Sequence, residues 1–234
     1  MTRETAPDST DLLIVDDLML LLTDDDGASV QGAGTLYYTL GGAVLTELAL
    51  LGRVQTDDSG ILNGPRVLPA GDGPLPDPLL QAAYDTIAEK TQRVQPLLVA
   101  IGADLWRVVV QRLTERGLLR REERRVLGIF RSTRFPAADE QHETELRARI
   151  RRVLEDGEAP DPRTAAIIGL LSASGAMPSL RPPLPWHSVT VTRAKEIERG
   201  QWGPEAVSSA VARTAAAVAA ASAVAAISAS TARG

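Results

Sequence analysis

Leu45-Thr46-Glu47-Leu48-Ala49-Leu50-Leu51-Gly52-Arg53-Val54 closes a helix and opens a strand, and the reading of that junction decides the fold. Upstream, between Thr35 and Leu51, apolar residues at 36, 40, 44, 45, 48 and 51 recur at helical spacing, and Gly52 stands where a left-handed C-terminal residue belongs. Arg53 to Thr56 alternates like a short strand, Asp57-Asp58-Ser59-Gly60 predicts a turn, and Ile61-Leu62 a return. The junction occurs a second time at Leu113-Thr114-Glu115-Arg116-Gly117-Leu118-Leu119-Arg120, after a helix that begins near Asp104. This copy predicts a turn near Glu122 to Arg124 and a return through Val126 to Arg134. The chain thus holds two helix-hairpin units that match only in their glycine cap and leucine spacing.

Residues 1–10 are expected to be a disordered tail, and residues 11–230 one domain. Leu12, Leu13, Leu18 and Leu20 to Leu22 mark a core helix that stops in the acidic turn Thr23 to Gly27. Pro65 to Pro78 reads as a loop, and Asp77-Pro78 starts a helix that runs to about Thr91 with proline at its first position. Further helices are expected over roughly Glu140 to Glu155, Arg163 to Ala173, Thr192 to Arg199 and Glu205 to Thr231. The last is alanine-rich, and alanine contributes little to membrane insertion, so a packed helix is favoured over a span.

Cysteine is absent and the only histidines are His142 and His187, so neither a thiolate site nor a histidine-rich metal site is expected. The acidic start of the chain does not read as a signal peptide, which suggests a cytoplasmic protein. Arginine outnumbers lysine 23 to 2, a usage typical of GC-rich, bacterial coding sequence. Phosphate-loop, dinucleotide, HExxH and GxSxG signatures are all missing, so no cofactor and no enzyme activity are expected. Asp16-Asp17 and Asp24-Asp25-Asp26 lack calcium-loop spacing and read as solvated acidic positions, and neither histidine has a partner cluster. Trp106, Trp186 and Trp202 read as core or interface anchors.

Net charge is −5, yet Arg107 to Arg134 carries nine arginines against three glutamates. An uncharged run, Val126-Leu127-Gly128-Ile129-Phe130, lies inside it. Clustered guanidinium groups offer paired donors to phosphate oxygens, and an apolar run flanked by cations suits shallow insertion among headgroups. Trp106, Arg107, Arg112, Arg131 and Arg134 are therefore the candidate lipid- or anion-binding residues. Arg124, Arg125, Val126, Leu127, Ile129 and Phe130 are the candidate insertion or self-association residues. A helix followed by two arginine-tipped strands is also how a winged-helix wing begins. Nucleic-acid binding is disfavoured because Leu105, Trp106 and Val108 to Val110 make the preceding helix core rather than a reader of base edges.

The strings Leu18 to Leu22, Leu45 to Val54, Asp77-Pro78-Leu79-Leu80, Leu113 to Arg120 and Asp161-Pro162-Arg163-Thr164 resemble, in order and spacing, the Golgi phosphoprotein three family. The resemblance implies a mainly α, single-domain fold: an apolar central helix bundle wrapped by amphipathic helices, with a protruding β-hairpin. Eukaryotic members bind phosphatidylinositol 4-phosphate and act as peripheral Golgi adaptors for glycosyltransferases, and their hairpin is implicated in self-association. The family's headgroup-binding tryptophan falls near Gly32 and its three arginines near Gly41, Ala103 and Trp106, so none of the four side chains is kept. The expectation is a non-enzymatic protein on the inner face of the membrane that binds anionic phospholipid through its arginine face. The alternatives are a soluble adaptor, with a client protein or a second copy of itself as partner, and a winged-helix-like nucleic-acid binder.

Overall fold

The central helix is the one whose sequence has almost no polar face. In a computed structural model, α1 (Ile14–Leu22) is buried at all nine of its positions. It packs against α2 (Leu36–Leu50), α5 (Leu105–Glu115), α6 (Gln141–Glu155) and α7 (Pro162–Ala173). The structure describes residues 12–57, 65–126, 130–138, 140–202 and 209–231; side chains at 124–126, 130–132, 209–211 and 225–231 are not described. Around the core of α1, α2 and α7 lie α3 (Pro78–Glu89), α4 (Val94–Gly102), α8 (Ser188–Glu198) and α9 (Ser209–Thr231). The architecture is mainly α and forms a single domain. No single helix among the described residues is long and apolar enough to cross a membrane.

Both glycine junctions close in the same way. Arg53 N–H donates to the Leu48 carbonyl at 2.8 Å and Leu118 N–H to the Leu113 carbonyl at 2.9 Å, with φ at +68° for Gly52 and +75° for Gly117. These six-to-one bonds satisfy end carbonyls that the helices leave unpaired. After the first junction, β1 (Val54–Thr56) pairs antiparallel with β2 (Arg66–Pro69), which also pairs with β3 (Gln92–Arg93). Strand β2 therefore occupies the start of the stretch from Pro65 that the sequence presents as loop, because Val67 buries its side chain between those neighbours. The return expected at Ile61-Leu62 falls outside the described residues. Helix α4 has no counterpart among the sequence expectations. Its Pro96 sits in the first turn, where a proline costs no helical hydrogen bond.

After the second junction, β4 (Glu122–Val126) pairs antiparallel with β5 (Phe130–Arg134), setting Glu122 opposite Arg134 and Val126 opposite Phe130. Glu122 to Arg124 are thus strand and not turn. Charged residues are tolerated in this strand because β4 and β5 pack mainly on each other. Its base is tied down: Arg120 N–H donates to the Pro136 carbonyl and Ala138 N–H to the Leu118 carbonyl, each at 2.9 Å, and Phe135 N–H reaches the Gly27 carbonyl at 2.9 Å.

Gly27 (φ +61°) permits that last contact, since a Cβ there would lie 2.1 Å from the backbone of Phe135 and Pro136. Gly27→Ala therefore adds left-handed strain to a backbone clash, and unfolding in urea is expected to show a loss of about 3 kcal/mol. Unchanged stability would mean that the hairpin base is free to move away.

Candidate functional site

The first turn of α1 carries two adjacent carboxylates, Asp16 and Asp17, that are 0% and 1% exposed. A helix N-terminus favours negative charge, but burial at this depth needs partners as well. Asp16 accepts Leu13 N–H at 2.9 Å and Arg112 Nε at 3.1 Å, and the Arg112 guanidinium also reaches Asp77 at 2.6 Å. Asp17 accepts Arg163 Nη2 at 2.8 Å on one oxygen and faces His142 Nε2 at 2.7 Å on the other. Glu47 of α2 accepts Ile14 N–H at 2.6 Å and lies 3.4 Å from Arg163. The Asp161-Pro162-Arg163-Thr164 string has a local purpose. Asp161 caps α7 through Thr164 N–H at 3.0 Å, Pro162 fills the first helical position, and Arg163 projects into the cluster.

Burial pushes the Asp16 carboxyl above its ordinary value against the pull of Leu13 N–H and Arg112, and it pushes Glu47 up against Arg163 and Ile14 N–H. The expectation of a solvated turn at Asp16-Asp17 is therefore corrected. The sequence signal was a carboxylate pair inside an otherwise apolar helix. Among the described residues, no group of three or more His, Asp and Glu side chains is arranged to hold a metal ion.

Helix α5 meets this cluster with one side and solvent with another. Arg112 follows Arg107 by five residues, roughly 140° around a helix of 3.6 residues per turn, so the two guanidinium groups leave on different sides. Arg112 is thus committed inward to Asp16 and Asp77, and it is not part of the face that Arg107 occupies. On the outer side, Trp106 is 36% exposed and meets the Phe135 ring edge-on, with centroids 6.2 Å apart. Together with Arg107, Glu115 and, from the hairpin base, Arg121, these two rings line a hollow of about 420 Å³.

Arg121 was not singled out from sequence, because only the folded hairpin base brings it to α5; it pairs with Glu123 at 3.2 Å. Arg134 sits beside Asp26 of the acidic turn, at 3.8 Å. Arg131, Arg124, Arg125, Val126 and Phe130 lie on the hairpin strands with side chains not described, and Leu127 and Ile129 fall outside the described residues. A larger groove of about 540 Å³ between α3 and α5 is mainly apolar, and its one arginine is the doubly paired Arg112. Trp202 is buried, with its indole N–H on the Ile197 carbonyl at 2.9 Å, and Trp186 is half-buried.

The sequence pattern of the Golgi phosphoprotein 3 (GPP34) family matches residues 14–214, and the chain belongs to that family. No curated protein matches the chain at a significant level. At Gly41, near one of the family's arginine positions, a Cβ would lie 2.5 Å from the Leu98 carbonyl oxygen, so α2 and α4 pack too closely for any side chain. Gly102 answers from α4, where a Cβ would meet the Tyr37 carbonyl.

Arg163→Met leaves two buried carboxylates short of a cation, and denaturant unfolding is expected to show a loss of about 3 kcal/mol, at the low end for buried pairs because Arg163 is a third exposed. The pH dependence has a definite sign. Asp16 and Glu47, raised in the fold, bind protons before the unfolded chain does, so their contribution grows as pH falls from neutral toward about 4. Asp24 and Asp161, lowered by hydrogen bonds from Ser29 and Thr164 that outweigh burial, lose theirs only as pH falls further, through their depressed values. Stability at pH 5 is expected to exceed that at pH 7, and Asp16→Asn should narrow the difference; a wild-type protein more stable at pH 7 would contradict this account.

Proposed function

We propose that this Golgi phosphoprotein 3 family member is a non-enzymatic, peripheral membrane protein that binds anionic lipid surfaces through the outer face of α5 and the adjoining hairpin. The observation that carries the reading is the pairing of exposed Trp106 with Arg107 and Arg121 around one hollow. An indole at the protein surface suits the headgroup layer, where one end of the side chain is apolar and the other wet. Each cation near an anionic bilayer contributes about 1 kcal/mol, so several arginines acting together give useful affinity without a stereospecific pocket. The reading does not need the family's phosphoinositide ligands, whose positions are glycine, alanine and tryptophan in this chain.

Sedimentation with vesicles tests it. Binding to phosphatidylglycerol vesicles is expected at low salt, weakening as ionic strength rises, with little binding to phosphatidylcholine alone. Arg107→Glu with Arg121→Glu reverses two charges and should weaken the binding at least about tenfold. Absence of binding to every acidic vesicle would replace this reading with a soluble adaptor, and a strong preference for phosphatidylinositol 4-phosphate would show that this chain builds a specific phosphoinositide site from other residues.

A further inference from the structure

The hollow beside Trp106 is not simply basic. Residues 107, 111 and 115 form one row along α5, each four residues from the next, and residues 106, 110 and 114 form the row beside it. The polar row runs from Arg107 to Glu115, eight residues or about 12 Å of helix. It therefore begins with a cation and ends with an anion. Gln111 donates to a Glu115 oxygen at 2.8 Å and so orients that carboxylate. Glu115 also stands at the last turn of α5, where the negative end of the helix dipole favours a positive ligand. Arg121 brings a second cation, but Glu123 lies against it at 3.2 Å. The charges in and around the hollow thus balance: Arg107 and Arg121 against Glu115 and Glu123.

From this arrangement we infer that the hollow takes the headgroup of an aminophospholipid, a phosphodiester joined to a primary ammonium, from the bilayer surface. The inference rests on the lipid-surface reading above and adds the headgroup class. Arg107 and Arg121 are the donors for the phosphodiester oxygens, and the free oxygen of Glu115 accepts from the ammonium N–H groups. The Trp106 and Phe135 rings pack against the glycerol and first methylenes. A purely anionic phosphodiester brings a second negative charge beside Glu115 and gains nothing there, whereas a ligand with no net charge matches both ends. A quaternary ammonium matches the charge but has no N–H to donate.

The test uses the full-length chain and water-soluble dihexanoyl lipids kept below their micelle concentration, titrated while tryptophan emission is followed. Dihexanoyl phosphatidylethanolamine is expected to bind at least about fivefold tighter than dihexanoyl phosphatidylglycerol, which amounts to about 1 kcal/mol of selectivity. The choline analogue should fall between them. Glu115→Gln, on an exposed helix position, should erase the ethanolamine preference and tighten phosphatidylglycerol binding. Arg107→Gln with Arg121→Gln should weaken all three. Equal or tighter binding of phosphatidylglycerol by the wild-type chain, a preference that survives Glu115→Gln, or no binding of any of the three lipids would each overturn the inference. Vesicle sedimentation separates the two levels. If phosphatidylglycerol vesicles still bind when the selectivity fails, only the headgroup class is wrong; if no acidic vesicle binds, the lipid-surface reading falls with it.

Discussion

The buried ion cluster at the start of α1 is the constraint on which the rest of the molecule depends. Asp16 and Asp17 cannot be buried in an apolar core without partners, and the partners come from three different helices: the Arg112 guanidinium from α5, the Arg163 guanidinium from α7 and, opposite Asp17, the His142 imidazole from α6. Glu47 adds α2 through Arg163 and through Ile14 N–H. The directional bonds therefore fix how four helices are rotated about a fifth. Leucine packing alone would fill the core, but it leaves rotation loosely specified, since apolar surfaces of similar volume exchange at small cost. Removing water from these groups is costly, as the raised Asp16 and Glu47 values indicate, and what the cluster contributes in return is a single arrangement of α1, α2, α5, α6 and α7.

That arrangement decides what α5 shows to solvent. With Arg112 drawn inward to Asp16 and Asp77, the row of Trp106 and Val110 and the row of Arg107 and Gln111 are turned toward the hairpin base. The base is fixed independently by the close approach of Gly27 to Phe135 and by the bonds of Arg120 and Ala138. The hollow is thus a meeting of two separately anchored pieces, one held by buried charge and the other by backbone contact.

How much of this was legible in sequence follows from the range of each interaction. Gly52 and Gly117 announced their helix ends because a left-handed cap acts within a few residues, and Asp77-Pro78 announced the start of α3 for the same reason. Asp16-Asp17 was misread because a charge in sequence is assigned to water by default, and its partners lie 96, 125 and 146 residues away. Strand β4 reads as turn in sequence because its charged residues belong to a hairpin that packs mainly on itself. Trp106 and Arg107 can be grouped from sequence because they adjoin. Arg112 was grouped with them because charge was counted along the chain and not around the helix.

The net charge of −5 at first argues against an acidic surface as partner. The residues from Arg107 to Arg134 carry +6, however, so the remainder of the chain carries −11. At physiological ionic strength a charge is felt over about 8 Å, less than the reach of a domain of this size. On the proposed lipid-surface reading, the arginine-rich end would therefore act nearly alone, with the acidic remainder orienting the molecule on approach and screened once contact is made. Within the contact the balance tightens again: Asp26 stands by Arg134, Glu123 by Arg121 and Glu115 in the hollow itself. On the proposed reading, attraction to the surface would draw on the excess of arginine, and discrimination among headgroups would fall to the few places where a carboxylate stands among the arginines.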